Sequence, residues 1–161
     1  MGILLVRHAE AVQERAGVDD AARWLSKLGR AQARDVAEQV NEQGLLPTRL
    51  IASPRVRAVQ TAELFAQVLG FRGVVECQAS LSYTVPAERA ARDLSQYSSS
   101  LAGGGSAGFD DDGEHLAAFG HMPTIAEIAS RLTGQQHQAG LSLCEALYIE
   151  DGRVVWSVKP R

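Results

Sequence analysis

The sequence predicts an α/β fold: a three-layer sandwich with a mostly parallel central sheet, helices on both faces and an antiparallel hairpin at the C-terminus. Three observations predict it. Short branched apolar runs alternate with amphipathic helical stretches, strand then helix, four times in succession, which is the pattern of a parallel sheet. Three of those strand runs end in polar residues that lead onward to helices. Near the end, Asp151-Gly152 joins two further apolar runs, a strong two-residue hairpin signal.

Ile3 to Val6 is rich in branched side chains and reads as a buried strand. Ala11 to Ser26 is polar and without clear period, a loop with a short turn of helix around Asp20 to Trp24. From Lys27, Ala33, Val36, Ala37 and Val40 fall at i, i+3, i+4 and i+7, one face of a helix. Ser26 is its expected N-cap and Gly44 its stop. Arg49 to Ala52 is the second strand and runs into Ser53, Pro54 and Arg55. Pro54 suits a helix start, where its missing N–H leaves nothing unpaired. Ala58, Ala62, Phe65 and Leu69 mark the buried face of that helix, and Gly70 ends it.

Gly73 to Cys77 is the third strand, and Pro86 opens a helix with Ala87, Ala90, Ala91 and Leu94 at helical spacing. Ser98 to Gly113 is rich in serine and glycine and carries the acids Asp110 to Asp112. It reads as a flexible surface loop rather than a domain linker, because too little chain follows to fold alone. Leu116 to Phe119 is the fourth strand and ends in Gly120-His121-Met122-Pro123. The next helix shows Ile125, Ile128, Ala129 and Leu132 on one face and Gly134 at its end. Leu141 to Glu150 and Arg153 to Val158 are the hairpin strands.

A length of 161 residues predicts one domain, 1–161, with a sizeable core. Hydrophobic residues at 45% and charged residues at 22% are ordinary for a globular chain. The net charge of −3 argues against a nucleic-acid partner, although it says nothing about a local cationic pocket. No apolar run approaches the roughly 20 residues of a membrane span, and no signal-peptide pattern is present, so a cytoplasmic protein without a membrane partner is expected. Cys77 and Cys144 lie apart without CxxC spacing and are expected to be small buried hydrophobes. Four histidines without metal-ligand spacing predict no metal site.

The chemistry gathers where strands end. In a parallel sheet the carboxyl ends lie along one edge, where ligands bind. The first strand delivers Arg7 and His8, the second Ser53, Arg55 and Arg57, the fourth His121. Guanidiniums, imidazoles and helix N-termini together describe a site for a dianionic phosphoryl group. Arg55 either helps to bind that group or faces solvent. Ser53 either donates to it or caps the helix, and the cap is favoured. Glu10 would repel phosphate and receives no role, unless it pairs with an arginine. His115 and His137 belong to no motif and are expected at the surface.

The segments VRHAE, SPRVRAVQTA and GHMP, in that order and spacing, resemble the histidine phosphatase superfamily, the phosphoglycerate mutase-like proteins. The short length, WLSKLG before the first long helix and WSVKP at the end look like its SixA-type phosphohistidine phosphatase branch. The resemblance implies a hydrolase with His8 as nucleophile and transient phosphoryl carrier. It implies Arg7 and Arg57 as phosphate-binding residues and His121 as the histidine that stabilises the transferring group. It also implies that no cofactor is needed. The implied partner is a phosphorylated protein, such as a histidine-containing phosphotransfer domain in signal transduction, met by a monomer. Alternatives are a small-molecule phosphomonoesterase of the same superfamily, acting on a small phosphorylated molecule, or a phosphohistidine-binding module without turnover. Many superfamily members carry a carboxylate general acid after the third strand. Here Ala79 to Pro86 has none, and the first acid is Glu88, within a predicted helix.

Overall fold

Gly2–Arg7 forms β1, whose apolar residues are buried, as a run covered on both faces requires. The computed structural model describes residues 2–101, 114–137 and 139–161. Strands β2 (Arg49–Ala52), β3 (Val75–Cys77) and β4 (His115–Gly120) join β1 in parallel. Strand β5 (Ala146–Glu150) pairs antiparallel with β1, and β6 (Arg153–Val158) antiparallel with β5. The sheet order is β3-β2-β4-β1-β5-β6.

Four helices among the described residues flank this sheet: α1 (Lys27–Glu42), α2 (Val56–Val68), α3 (Ala87–Leu101) and α4 (Thr124–Thr133). Successive strand side chains point to opposite faces, so β1 sends Leu4 and Val6 one way and Ile3 and Leu5 the other. The first pair packs with α1 and α2 through Val36, Val40 and Phe65. The second packs with α3 and α4 through Leu94, Ile125 and Ile128. Each such buried side chain contributes about 1.5–3 kcal/mol. An exposed pair such as Arg92–Glu88 contributes about 1 kcal/mol at most, so the two apolar layers hold the fold.

Local signals set many element ends. Ser26 Oγ accepts from the Gly29 amide at 3.0 Å, and α1 then runs from Lys27. At the hairpin, Asp151 (φ 49°) and Gly152 (φ 72°) both take the left-handed conformation that a type I′ turn needs.

Several expectations need correction. The strand expected from Leu141 begins only at Ala146, because Cys144 turns left-handed (φ 56°) and its amide donates to the His8 carbonyl at 3.2 Å. The third strand is shorter than expected and forms the sheet edge, which leaves Cys77 exposed, whereas Cys144 is buried. Ser98 was expected to begin a loop, but α3 continues to Leu101; residues 102–113 of that expected loop lie outside the described residues. Pro54 does not start α2. Arg55 is the N-cap, and Ser53 extends the ladder instead, its amide donating to Phe119 at 2.9 Å. His115 and His137 are half-buried, against Tyr148 and Thr133 respectively. No helix among the described residues is long and apolar enough to cross a membrane.

Candidate active site

Sheet register brings the site together. Arg7 pairs with Gly120 across β1 and β4, and Ala52 pairs with Phe119 across β2 and β4. The next residues out are therefore neighbours along one edge. His8 and His121 have ring centroids 5.1 Å apart with planes tilted by 55°. Ser53 Oγ lies 2.8 Å from His121 Nε2, so Ser53 partners the histidine rather than capping α2.

His8 is held by its own neighbours. Its Nδ1 donates to the Ala9 carbonyl at 2.7 Å. A carbonyl only accepts, so Nδ1 carries the proton and Nε2 keeps a lone pair. Burial lowers the His8 pKa to about 4; the Ala9 bond opposes this, while Arg57, Arg7 and Arg23 add to the lowering. His121 is buried, and its pKa falls to about 3 through burial and then the nearby His8 and arginines. Both rings are neutral at pH 7. His121 Nδ1 is buried without a hydrogen-bond partner among the described residues.

The α2 segment supports His8 from below. Thr61 Oγ1 accepts from the Ala9 amide at 3.1 Å and donates to the Arg57 carbonyl at 2.7 Å. Gln60 Oε1 accepts from the Leu25 amide at 2.7 Å, which ties the loop before α1 to the same helix. Among the described residues Glu10 pairs with no arginine: its Oε1 accepts from Ser26 Oγ at 2.6 Å, at the start of α1.

Arg7 anchors its Nη1 on the Leu141 carbonyl at 2.7 Å, while its Nε is buried without a partner. Arg57, nearly enclosed, donates from Nη1 to the Asp20 carbonyl at 2.7 Å and from Nη2 to Asp20 Oδ2 at 3.2 Å. Arg55 does not face solvent. It donates to Asp20 Oδ2 at 2.5 Å, and its guanidinium lies 4.1 Å above the Tyr83 ring centroid. Burial opposes the Asp20 charge, yet bonds from Arg23 and Tyr83 and the field of Arg57 hold the carboxyl well below its usual range.

Asp20, Arg23 and Tyr83 are absent from the candidates read off the sequence. The one available signal was the Asp20/Arg23 pair at i, i+3 on an expected turn. Glu88 is not brought to the histidines: it lies on the exposed side of α3 and pairs with Arg92 at 3.3 Å. Among the described residues no group of three or more His, Cys, Asp or Glu side chains is placed to hold a metal ion.

The structure of the protein histidine phosphatase SixA complexed with tungstate superposes with a TM-score of 0.85, at 19% identity, covering 99% of this chain and 97% of that one. A mycobacterial glucosyl-3-phosphoglycerate phosphatase superposes with a TM-score of 0.69, at 17% identity, covering 91% and 88%. At these identities the likeness is one of fold. The mitochondrial serine/threonine-protein phosphatase Pgam5 of Drosophila ananassae is 35% identical over 77 residues, 47% of this chain. The match spans about a quarter of that relative's length (26%). The family model of the histidine phosphatase superfamily (branch 1) matches residues 3–82, from β1 through the loop after β3, including Arg7, His8 and Arg57, so over that half of its length the chain is similar to the histidine phosphatase superfamily.

Proposed function

We propose that the chain is a phosphatase that carries the phosphoryl group on His8 and acts on phosphohistidine of a protein, such as a histidine-containing phosphotransfer domain. The observation that carries this reading is the His8 hydrogen bond to Ala9, which leaves Nε2 unprotonated beside His121 and within the field of Arg57. An imidazole held neutral is a nucleophile across the physiological range.

In the first step His8 Nε2 attacks phosphorus, a P–N bond forms, and the bond to the leaving atom breaks. Arg7 and Arg57 bind the phosphoryl oxygens, over which charge spreads in the transition state. His121, with Nε2 on Ser53, has its Nδ1 available to a phosphoryl oxygen. Water then attacks phosphorus, the P–N bond to His8 breaks, and inorganic phosphate leaves. Side chains of this chain supply every group used, and neither step draws on a metal or an organic cofactor.

Substrate choice follows from proton supply. An alkyl phosphate expels an alkoxide about as basic as hydroxide, whose conjugate acid has a pKa of roughly 15.7, and that departure needs a general acid. Asp20, whose charge is felt by His121, is held ionised, and Glu88 is exposed on α3 and paired with Arg92. A protonated phosphohistidine expels a neutral imidazole, whose conjugate acid has a pKa of about 6.5, and needs no such help. Exchange of one P–N bond for another also makes the first step nearly thermoneutral.

The test is kcat/KM across phosphohistidine, aryl phosphates, sugar phosphates and nucleotides, plotted against leaving-group pKa. A steep negative slope is expected. A flat slope, with sugar phosphates cleaved as fast as phosphohistidine, overturns the substrate assignment in favour of a small-molecule phosphomonoesterase. Binding without phosphate release from any substrate overturns the enzyme reading in favour of a phosphohistidine-binding module.

A further inference from the structure

Asp20 begins a single 3₁₀ turn, Asp20–Ala22, in the loop between β1 and α1, and five hydrogen bonds from four side chains converge on it. Its Oδ2 accepts from Arg55 Nη1 at 2.5 Å, Arg57 Nη2 at 3.2 Å and Tyr83 Oη at 3.1 Å. Its Oδ1 accepts from Arg23 Nη1 at 2.9 Å, and its main-chain carbonyl from Arg57 Nη1 at 2.7 Å. Those four side chains come from the turn itself, from the start of α2 and from the loop after β3. Tyr83 continues the chain of contacts inward, with its ring edge-on to His121 at 5.7 Å.

We propose that Asp20 is the positioning residue of the phosphoryl-binding arginines. This deepens the phosphatase reading above and rests on it. Arginine side chains lose rotamer freedom when held in one geometry, and three guanidiniums in one place repel one another. A single carboxylate among Arg23, Arg55 and Arg57 offsets that repulsion and fixes the direction of each fork. Asp20 acts through these groups, to which its side-chain and carbonyl bonds run.

A rival reading treats the carboxylate as a plug that a phosphoryl group displaces. Two observations favour positioning. The main-chain carbonyl of Asp20 holds Arg57 as well, and a phosphate oxygen cannot replace it without moving the turn. Arg57 is also held at two points of Asp20 at once, carbonyl and carboxylate, as a fixed clamp requires. Arg23 is braced a second time, its Nε donating to the Val12 carbonyl at 2.8 Å.

The experiment compares Asp20→Ala, Asp20→Asn, Arg57→Ala and the Asp20→Ala/Arg57→Ala double variant. The readouts are kcat and KM on an aryl phosphate, orthovanadate affinity by calorimetry, and thermal melting. Asp20→Ala is expected to lower kcat by about 10- to 10²-fold, the size of a misplaced clamp, and to weaken vanadate binding. Asp20→Asn, which keeps the main-chain carbonyl and one side-chain oxygen, loses less and controls for folding. The double variant is expected to lose less than the two single losses combined, because part of what Asp20 does is done through Arg57. Tighter vanadate binding by Asp20→Ala overturns the proposal and favours the plug. Unchanged kinetics, or losses that add in full to those of Arg57→Ala, overturn it as well. If the wild-type chain neither binds vanadate nor turns over, the phosphatase reading itself fails, a result separate from any difference among variants.

Discussion

The His8 amide donates to the Gly120 carbonyl at 3.0 Å, one residue beyond the last register pair of β1 and β4. The ladder thus continues past the strands and sets His8 beside His121. Two buried strands, rather than two loops, hold the pair. A site built on rigid elements keeps its geometry when a substrate arrives.

Replacing His8 by Ala is expected to reduce turnover by about 10⁴-fold or more, as loss of a nucleophile does. Melting should stay close to wild type, because His8 lies beyond the strand and outside both apolar layers. Stopped reactions of the wild type should carry an acid-labile phosphoryl label. Residual full activity in the variant, or no label in the wild type, rules out the covalent route.

Arg57→Lys is expected to lose much more activity than Arg55→Lys. Arg57 uses two nitrogens at once, on the Asp20 carbonyl and carboxylate, and an ammonium cannot copy that fork. Arg55 makes one ion pair and a stack on Tyr83, which a lysine retains in part. Steady-state kinetics of the two variants decide it, and equal losses would contradict the assignment of Arg57 as the second phosphate-binding arginine.

The histidines make a pH prediction with a definite sign. Their folded pKa values, about 4 for His8 and about 3 for His121, lie below the ordinary 6.5. As pH falls through 6.5 the unfolded chain takes up protons that the folded chain refuses. The stability these neutral rings contribute is therefore fully present above pH 6.5 and is lost as pH falls from 6.5 to about 4 for His8 and to about 3 for His121. At pH 5 the loss is about 2 kcal/mol per histidine. Urea unfolding at pH 7.5 and pH 5 measures it, and a His8→Gln/His121→Gln variant should show a flatter profile. The acid limb of kcat/KM should likewise fall near pH 4; a limb near 6.5 would mean that His8 is not desolvated.

Gly29→Ala tests a contact that sequence gives no hint of. A Cβ there would stand 1.9 Å from the Glu10 carbonyl oxygen, two residues beyond His8. That carbonyl is already fixed by the Ser26 amide at 3.0 Å. Alanine favours a helix interior over glycine by up to about 1 kcal/mol, so propensity alone predicts stabilisation. The clash is expected to win, with about 2–3 kcal/mol lost and activity reduced, since backbone two residues from His8 must shift. A raised melting temperature would refute the close approach.

Local patterns in the sequence determined a great deal. The apolar run of β1, the 3.6-residue period of α1 with its Ser26 cap, the bounds of β2 and the Asp151-Gly152 turn are each written within a few consecutive residues. So is the delivery of Arg7, His8 and His121 to strand ends and of Arg57 to the first turn of the helix after β2, because a strand followed by a helix fixes where its carboxyl end lies. Tertiary structure alone decided what those residues touch. Arg57 meets Asp20 across 37 residues, Tyr83 meets Asp20 across 63, and Ser53 meets His121 across 68. No periodicity spans such separations. The same holds for Cys77, apolar by composition but exposed because β3 became the sheet edge, and for Cys144, bent out of its expected strand by a bond to the His8 carbonyl. Side-chain periodicity reports which face is buried; only the folded register reports which neighbour waits there.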